Sequence, residues 1–209
     1  PYLAYMRQDK VFRKGEAVTS GHFAKLICAF ADSIATVDPH LHRRRSLSEI
    51  YPVANETIHA ATSISGWIKE NLERPVLIGP DEESGQWVRK VAEQSSAPFT
   101  VLEKTRRGDR DVSVSVPKIE EYRDHTPVLV DDIISTARTM IETVGHLKNS
   151  EMKPPVCVGV HAVFAGNAYR DLLAAGARRV VTCNTIPHAT NEIDVSDLFT
   201  EFLGRLGEL

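Results

Sequence analysis

A chain of 209 residues is long enough for one large or two small domains. Its hydrophobic and charged fractions, 42% and 25%, are ordinary for a globular protein, and a net charge of −3 excludes a bulk electrostatic pull toward nucleic acid. No apolar run reaches the ~18 residues of a membrane-spanning helix, and no signal peptide is visible.

The opening stretch, PYLAYMRQDKVFRKGEAV, reads as the end of a strand followed by a polar loop. HFAKLICAFADSI has apolar residues at helical spacing, and SIATVDPH reads as a short strand stopped by Pro39. A basic run, His40 to Arg45, follows. TIHAATSISGWIKENL predicts a helix that Pro75 must end, because the residue before proline is pushed out of the helical region. PVLIGPDEES is then a strand, SGQWVRKVAEQSS a helix, and APFTVLEKTRR a strand running into a charged loop. PVLVDD is a strand and ARTMIETVGHLKNS a helix. PVCVGVHAVF, AYRDLLAAGA, RRVVTCNTIP and VSDLFTEFLGRL continue as strand, helix, strand and helix.

Strands alternating with helices predict an α/β protein with a mostly parallel sheet, and the continuous apolar strands predict helices on both faces. Cys28, Cys157 and Cys183 each sit in an apolar stretch. That pattern suggests buried free thiols in a reducing compartment, the cytoplasm.

In parallel sheets ligands collect at the carboxyl ends of strands. Five such ends carry polar chemistry here: Asp38 to His40, Asp81, Lys104 to Arg106, Asp131 with Asp132, and Asn184 with Thr185. The richest is VLVDDIISTARTM, residues 128–140. Two adjacent carboxylates repel unless cations or hydroxyls lie between them, and ribose hydroxyls or Mg²⁺ do that. Hydroxyls and backbone N–H groups at the following helix N-terminus favour a phosphate. The plainer reading is that Ser135 or Thr136 caps the helix and the aspartates are solvated.

The D-D-x-x-S-T-x-x-T string resembles the phosphoribosyl-diphosphate (PRPP) motif of phosphoribosyltransferases and PRPP synthases. The remaining segments resemble PRPP synthases, the ribose-phosphate diphosphokinases, over nearly the whole chain. These are PYLAYMRQDK, VDPH, IGPDEESG, LEKTRR, VGVHAVFAGNA and NTIP. The resemblance implies two phosphoribosyltransferase-like three-layer domains, the first incomplete, since family members carry roughly one more half-domain before R-Q-D. Residues 1–52 are then the remainder of the first, with a C-terminal helix in 194–209 packing on it, and 53–193 the PRPP-motif domain.

The implied reaction moves the β,γ-diphosphoryl group of ATP to the 1-hydroxyl of ribose 5-phosphate, giving PRPP and AMP for nucleotide biosynthesis. By the same resemblance Lys104 and Arg106 are catalytic, and Arg7, Gln8, Asp9 and His40 contact the nucleotide. His40 and Asp81 hold Mg²⁺. Asp131, Asp132, Ser135, Thr136, Ala137, Arg138 and Thr139 take ribose 5-phosphate. A homo-oligomer, dimer or hexamer, is implied as well, with no nucleic-acid or membrane partner. His161, alone in an apolar strand, is read as structural. The run Arg43-Arg44-Arg45 lacks interleaved aromatics and fits an anion site at a subunit contact better than nucleic acid.

Ser135, Ala137-Arg138 and Glu82-Glu83-Ser84 depart from the family pattern, which has Asp, Gly-Gly and small residues there. Two rival readings follow. One is a catalytically weak PRPP-synthase-like regulatory subunit. The other is a PRPP-consuming phosphoribosyltransferase, which would need neither Arg7-Gln8 nor VDPH.

Overall fold

The computed structural model describes residues 2–79, 85–107 and 111–206. In chain order the helices and strands are α1 (Thr19–Cys28), β1 (Ser33–Val37), β2 (Ala54–Ile58), α2 (Ala61–Asn71), β3 (Pro75–Gly79), α3 (Gly85–Ser95), β4 (Phe99–Val101), β5 (Glu103–Arg107), β6 (Asp111–Ser115), β7 (Thr126–Ile134), α4 (Arg138–Asn149), β8 (Val156–Ala162), α5 (Ala168–Ala175), β9 (Arg179–Cys183), β10 (Asn191–Ile193) and α6 (Thr200–Leu206). They fall into two compact units, residues 1–60 with 195–209, and residues 61–194.

In the first unit β1 and β2 run parallel, in register from Ser33↔Ala54 to Val37↔Ile58. Its core gathers Leu3, Met6, Ala24, Leu47 and Tyr51, with Phe23, Ile27 and Leu41 packed against them. Three sequence expectations are corrected here. The helix expected from His22 through Ile34 stops at Cys28. Ile34, Thr36 and Val37 are β-branched, suit a strand, and are drawn into pairing with β2. For the same reason Thr57 and Ile58 are strand residues, and the helix expected from Thr57 begins at Ala61. Residues 4–7, expected at a strand end, form turns.

The second unit is built on a six-stranded sheet in the order β10-β9-β8-β7-β3-β4, and every pairing in it is parallel. The chain moves one way across it from β3 to β4 and the other way from β7 through β9. Right-handed crossovers therefore place α3 on one face and α4 and α5 on the other, a three-layer α/β arrangement. On the α4–α5 side the core joins Met140, Val144 and Leu147 of α4 and Leu172 of α5 to Leu129, Cys157 and Val180 of the sheet. On the other side Ser65 Oγ of α2 donates to the Val91 carbonyl of α3 at 3.0 Å. Helix α5 ends at Gly176, whose φ of +115° is a left-handed conformation that glycine adopts without steric penalty.

All three cysteines are free thiols, but only Cys157 and Cys183 are buried as expected; Cys28, at the end of α1, is half-buried, and burial pushes Cys157 up to about 12. No helix among the described residues is long and apolar enough to cross a membrane.

Candidate active site

Strand β7 does not stop at the aspartates; it runs on to Ile134. Up to Leu129 it is paired with β3, while pairing with β8 continues through Asp131↔Gly159 to Ile134↔Ala162. Asp131 and Asp132 thus lie where the strand has lost one neighbour, and both are half-buried. Adjacent strand residues project to opposite faces, which relieves the repulsion expected of neighbouring carboxylates. Asp131 Oδ1 accepts the Asp132 backbone N–H at 2.9 Å.

The turn after β7 is held by two backbone bonds. Phe164 N–H donates to the Ile134 carbonyl at 2.8 Å, and Ala165 N–H to the Ser135 carbonyl at 3.1 Å. Helix α4 then begins at Arg138, with Ala137 as its N-cap in the left-handed conformation, φ +56° and ψ +12°. No side chain caps this helix, and no acidic residue occupies its first turn. The capping reading of Ser135 and Thr136 is therefore overturned. Thr136 is exposed, Ser135 and Thr139 are half-buried, and the positive end of α4 is left to meet an anion. Positive φ falls on Ala137 and not on Arg138, whose exposed side chain opens the helix.

In the first unit Gln8 helps line a pocket of about 440 Å³ together with Phe12, Arg13, Glu16, Ala17 and Thr19. Thr19 Oγ1 donates to Gln8 Oε1 at 3.1 Å, which leaves the Gln8 amide N–H₂ as the group to present. Arg7 is exposed beside it. Asp9 is different. Its side chain is 1% exposed, and both its oxygens accept from Arg43 Nη1, at 3.2 and 3.3 Å. The Asp9 side chain thus forms an internal ion pair that ties the R-Q-D segment to the basic run. Arg44 Nη2 donates to Ser20 Oγ at 3.1 Å, so two of the three arginines expected at an anion site brace their own unit.

Just past the carboxyl ends of β1 and β2, Asp38 sits at φ +32° with its side chain 6% exposed. Its Oδ1 accepts from His59 Nδ1 and its Oδ2 from Ala60 N–H, both at 2.8 Å. His40 follows and stacks on His42, ring centroids 4.0 Å apart. Neither His42 nor His59 was marked out by sequence reasoning. The His-x-His spacing was the available signal for the first. Nothing local signals the second, because its carboxylate partner is 21 residues away.

Lys104 and Arg106 fall in β5, whose antiparallel pairing with β6 sets Lys104 opposite Val114 and Arg106 opposite Val112. The expected irregular loop is thus a two-stranded hairpin, and the Lys104 and Arg106 side chains lie outside the described structure. Asp81, and with it Glu82-Glu83-Ser84, lies outside the described residues. His161 is 1% exposed. The Thr185 hydroxyl gives its proton to the Val160 carbonyl at 3.0 Å and so accepts from His161 Nδ1 at 2.8 Å, the satisfied core histidine expected. Asn184 Nδ2 donates to Asp194 at 2.7 Å, so this strand end is braced internally.

A parallel sheet with two carboxylates before an uncapped helix N-terminus defines a class, and the phosphoribosyl transferase domain family matches residues 46–200. Within that class the relatives are specific. The ribose-phosphate pyrophosphokinase of Methanopyrus kandleri is 33% identical over 208 residues, 99% of this chain and 70% of the relative. That of Methanosarcina mazei is also 33% identical, over 97% of this chain and 67% of the relative. The crystal structure of phosphoribosylpyrophosphate synthetase from Mycobacterium smegmatis superposes with a TM-score of 0.82 at 25% identity, covering all of this chain and 70% of that one. This chain belongs to the ribose-phosphate pyrophosphokinase family.

Proposed function

We propose that this chain transfers the β,γ-diphosphoryl group of ATP to the 1-hydroxyl of ribose 5-phosphate, forming PRPP and releasing AMP. The observation that carries the reading is the N-terminus of α4, uncapped by any side chain and set directly after Asp131 and Asp132. In this reading the 5-phosphate accepts from the helix's first N–H groups and from the Thr136 and Thr139 hydroxyls. Asp131 and Asp132 accept the ribose hydroxyls. The sugar is then held at both ends, which fixes where its 1-hydroxyl points.

In the transfer the 1-hydroxyl oxygen forms a bond to the β-phosphorus as that phosphorus releases the α,β-bridging oxygen, and the hydroxyl proton is lost. Negative charge spreads over the moving group, and catalysis of such a step is mostly positioning and charge stabilisation. Lys104 and Arg106 are the cations assigned to it. Arg7 and Gln8 take the nucleotide, Gln8 by the amide donor that Thr19 leaves available. Asp9 acts through Arg43 by holding that segment in place.

His40 and Asp81 are assigned to Mg²⁺. The donors described fit a divalent cation: ring nitrogens of His40 and His42 lie within 4.8 Å of one another, and both residues are half-buried. When bound, the metal neutralises phosphate charge. A homo-oligomeric protein of the cytoplasm completes the reading.

Incubation with ATP, Mg²⁺ and ribose 5-phosphate tests it. AMP and PRPP must appear in equal amounts. ADP as the nucleotide product, or no PRPP, overturns the assignment.

A further inference from the structure

The segment after β1 alternates in its environment. Leu41 packs into the first unit's core, against the cluster of Leu3, Met6, Ala24, Leu47 and Tyr51. His40 and His42 flank Leu41, and their imidazoles stack on each other. Their rings lie 4.0 Å apart at 40°, both half-buried, with ring nitrogens within 4.8 Å of one another. His42 itself lies in a turn closed by Arg44 N–H donating to the Leu41 carbonyl at 3.0 Å, and the next residue, Arg43, pairs with the Asp9 side chain. Both imidazoles therefore project from a segment anchored before, between and after them.

We infer that His42 is a second nitrogen ligand beside His40, and that the cation taken there is a borderline first-row transition ion such as Co²⁺ in preference to Mg²⁺. This rests on the reading of His40 as a cation ligand and adds His42 to it. The chemistry is one of donor type. Mg²⁺ is hard and small, and it favours oxygen ligands and retained water. Imidazole suits Co²⁺, Ni²⁺ and Zn²⁺, and a second imidazole shifts preference toward them. A pair offered by residues i and i+2 of an anchored segment also loses little conformational entropy on binding.

Calorimetric titration of the full chain with Co²⁺ alone and with Mg²⁺ alone reads this without turnover, with the Co²⁺ visible absorption band as a second signal. The parent is expected to bind Co²⁺ at least ~10-fold more tightly than Mg²⁺. His42→Ala is expected to weaken Co²⁺ by roughly 10–100-fold, the range seen even for groups that only support a ligand. It should also alter the band while leaving Mg²⁺ nearly unchanged. His42→Asp, which restores an oxygen donor, is expected to shift preference back toward Mg²⁺. His42→Gln keeps most of the side-chain volume, so its melting temperature separates lost ligation from lost packing. His22→Ala, at an exposed histidine of α1, is expected to change nothing. If His40→Ala loses Co²⁺ and His42→Ala does not, His42 merely packs on His40 and the inference fails, with the proposed function intact. If neither changes Co²⁺ binding, or if His22→Ala weakens it as much as His42→Ala, the inference fails. The first of those results also sinks the cation role of His40.

Discussion

A Cβ added to Gly159 would stand 2.6 Å from Ile134 Cγ1 and 2.7 Å from Ile134 Cδ1. Gly159 is paired with Asp131 in the ladder, and Ile134 is the last residue of β7 before the turn proposed to take the phosphate. The isoleucine lies on β8 backbone that only glycine leaves open, and this close approach sets where the turn starts. Gly159→Ala is expected to cost about 1–3 kcal/mol, the usual range for overpacking a core. It should also raise KM for ribose 5-phosphate by displacing Ser135 to Thr139. Chemical denaturation and steady-state kinetics on the same preparation check both. A variant as stable as the parent with unchanged KM refutes the coupling.

Ala137 carries the left-handed conformation at the N-cap of α4, with φ +56°. A Cβ there costs roughly 1–2 kcal/mol in the folded state, while glycine costs more entropy in ordering. The difference favours Ala137→Gly, which is expected to raise stability by about 0.5–1 kcal/mol. Thermal unfolding reads this directly, and a lowered melting temperature would show that the alanine is not strained. KM for ribose 5-phosphate should fall or stay level, because glycine lets backbone approach the phosphate at least as closely.

Asp9 and Arg43 form an ion pair of unequal exposure, 1% against 40%. Removing the arginine leaves a buried carboxylate without its cation. Arg43→Ala is therefore expected to cost about 1–3 kcal/mol, the scale of an unsatisfied buried group. Asp9→Asn with Arg43→Ala should recover part of that loss, because no buried charge remains. If Arg43→Ala is neutral by denaturation, the pair contributes nothing and the basic run regains its reading as an external anion site.

Long elements were legible because pattern and packing agree in them. Helix α4 and strands β3 and β8 are one-period segments bounded by Gly, Pro or polar residues, and they fold as read. Short strands were not. Residues 54–58 and 191–193 have no strong alternation, and they become strands only because β1 and β9 offer edges. The same limit applied to the site. The Asp131 to Thr139 string announced itself in one contiguous run. The pairs Asp9–Arg43, Asp38–His59 and Gly159–Ile134 each join residues 21 to 34 positions apart, and local sequence carries no trace of them. An acidic residue in a motif can be a ligand or an internal brace, and only its partner decides.

Charge that develops during diphosphoryl transfer should separate the residues of the reading by kinetics. Lys104 and Arg106 are assigned to that developing charge, on strand β5 of the hairpin. Interactions made chiefly in the transition state appear in kcat, while those made equally in the bound substrate appear in KM. Lys104→Ala and Arg106→Ala are each expected to lower kcat by roughly a hundredfold, on the order of 3 kcal/mol, with little change in KM for ribose 5-phosphate. Thr136, by contrast, is an exposed hydroxyl beside an uncapped helix, and it is assigned to a 5-phosphate whose charge does not change during the reaction. Thr136→Ala is therefore expected to raise KM by roughly 10–100-fold, on the order of one hydrogen bond to a charged group, with kcat held within about twofold. Measured side by side, the variants must fall on different axes. If Lys104→Ala turns over at the parent rate, the lysine is a solvated hairpin residue. If Thr136→Ala loses kcat as heavily as Lys104→Ala, the turn after β7 takes part in the chemical step and not only in docking.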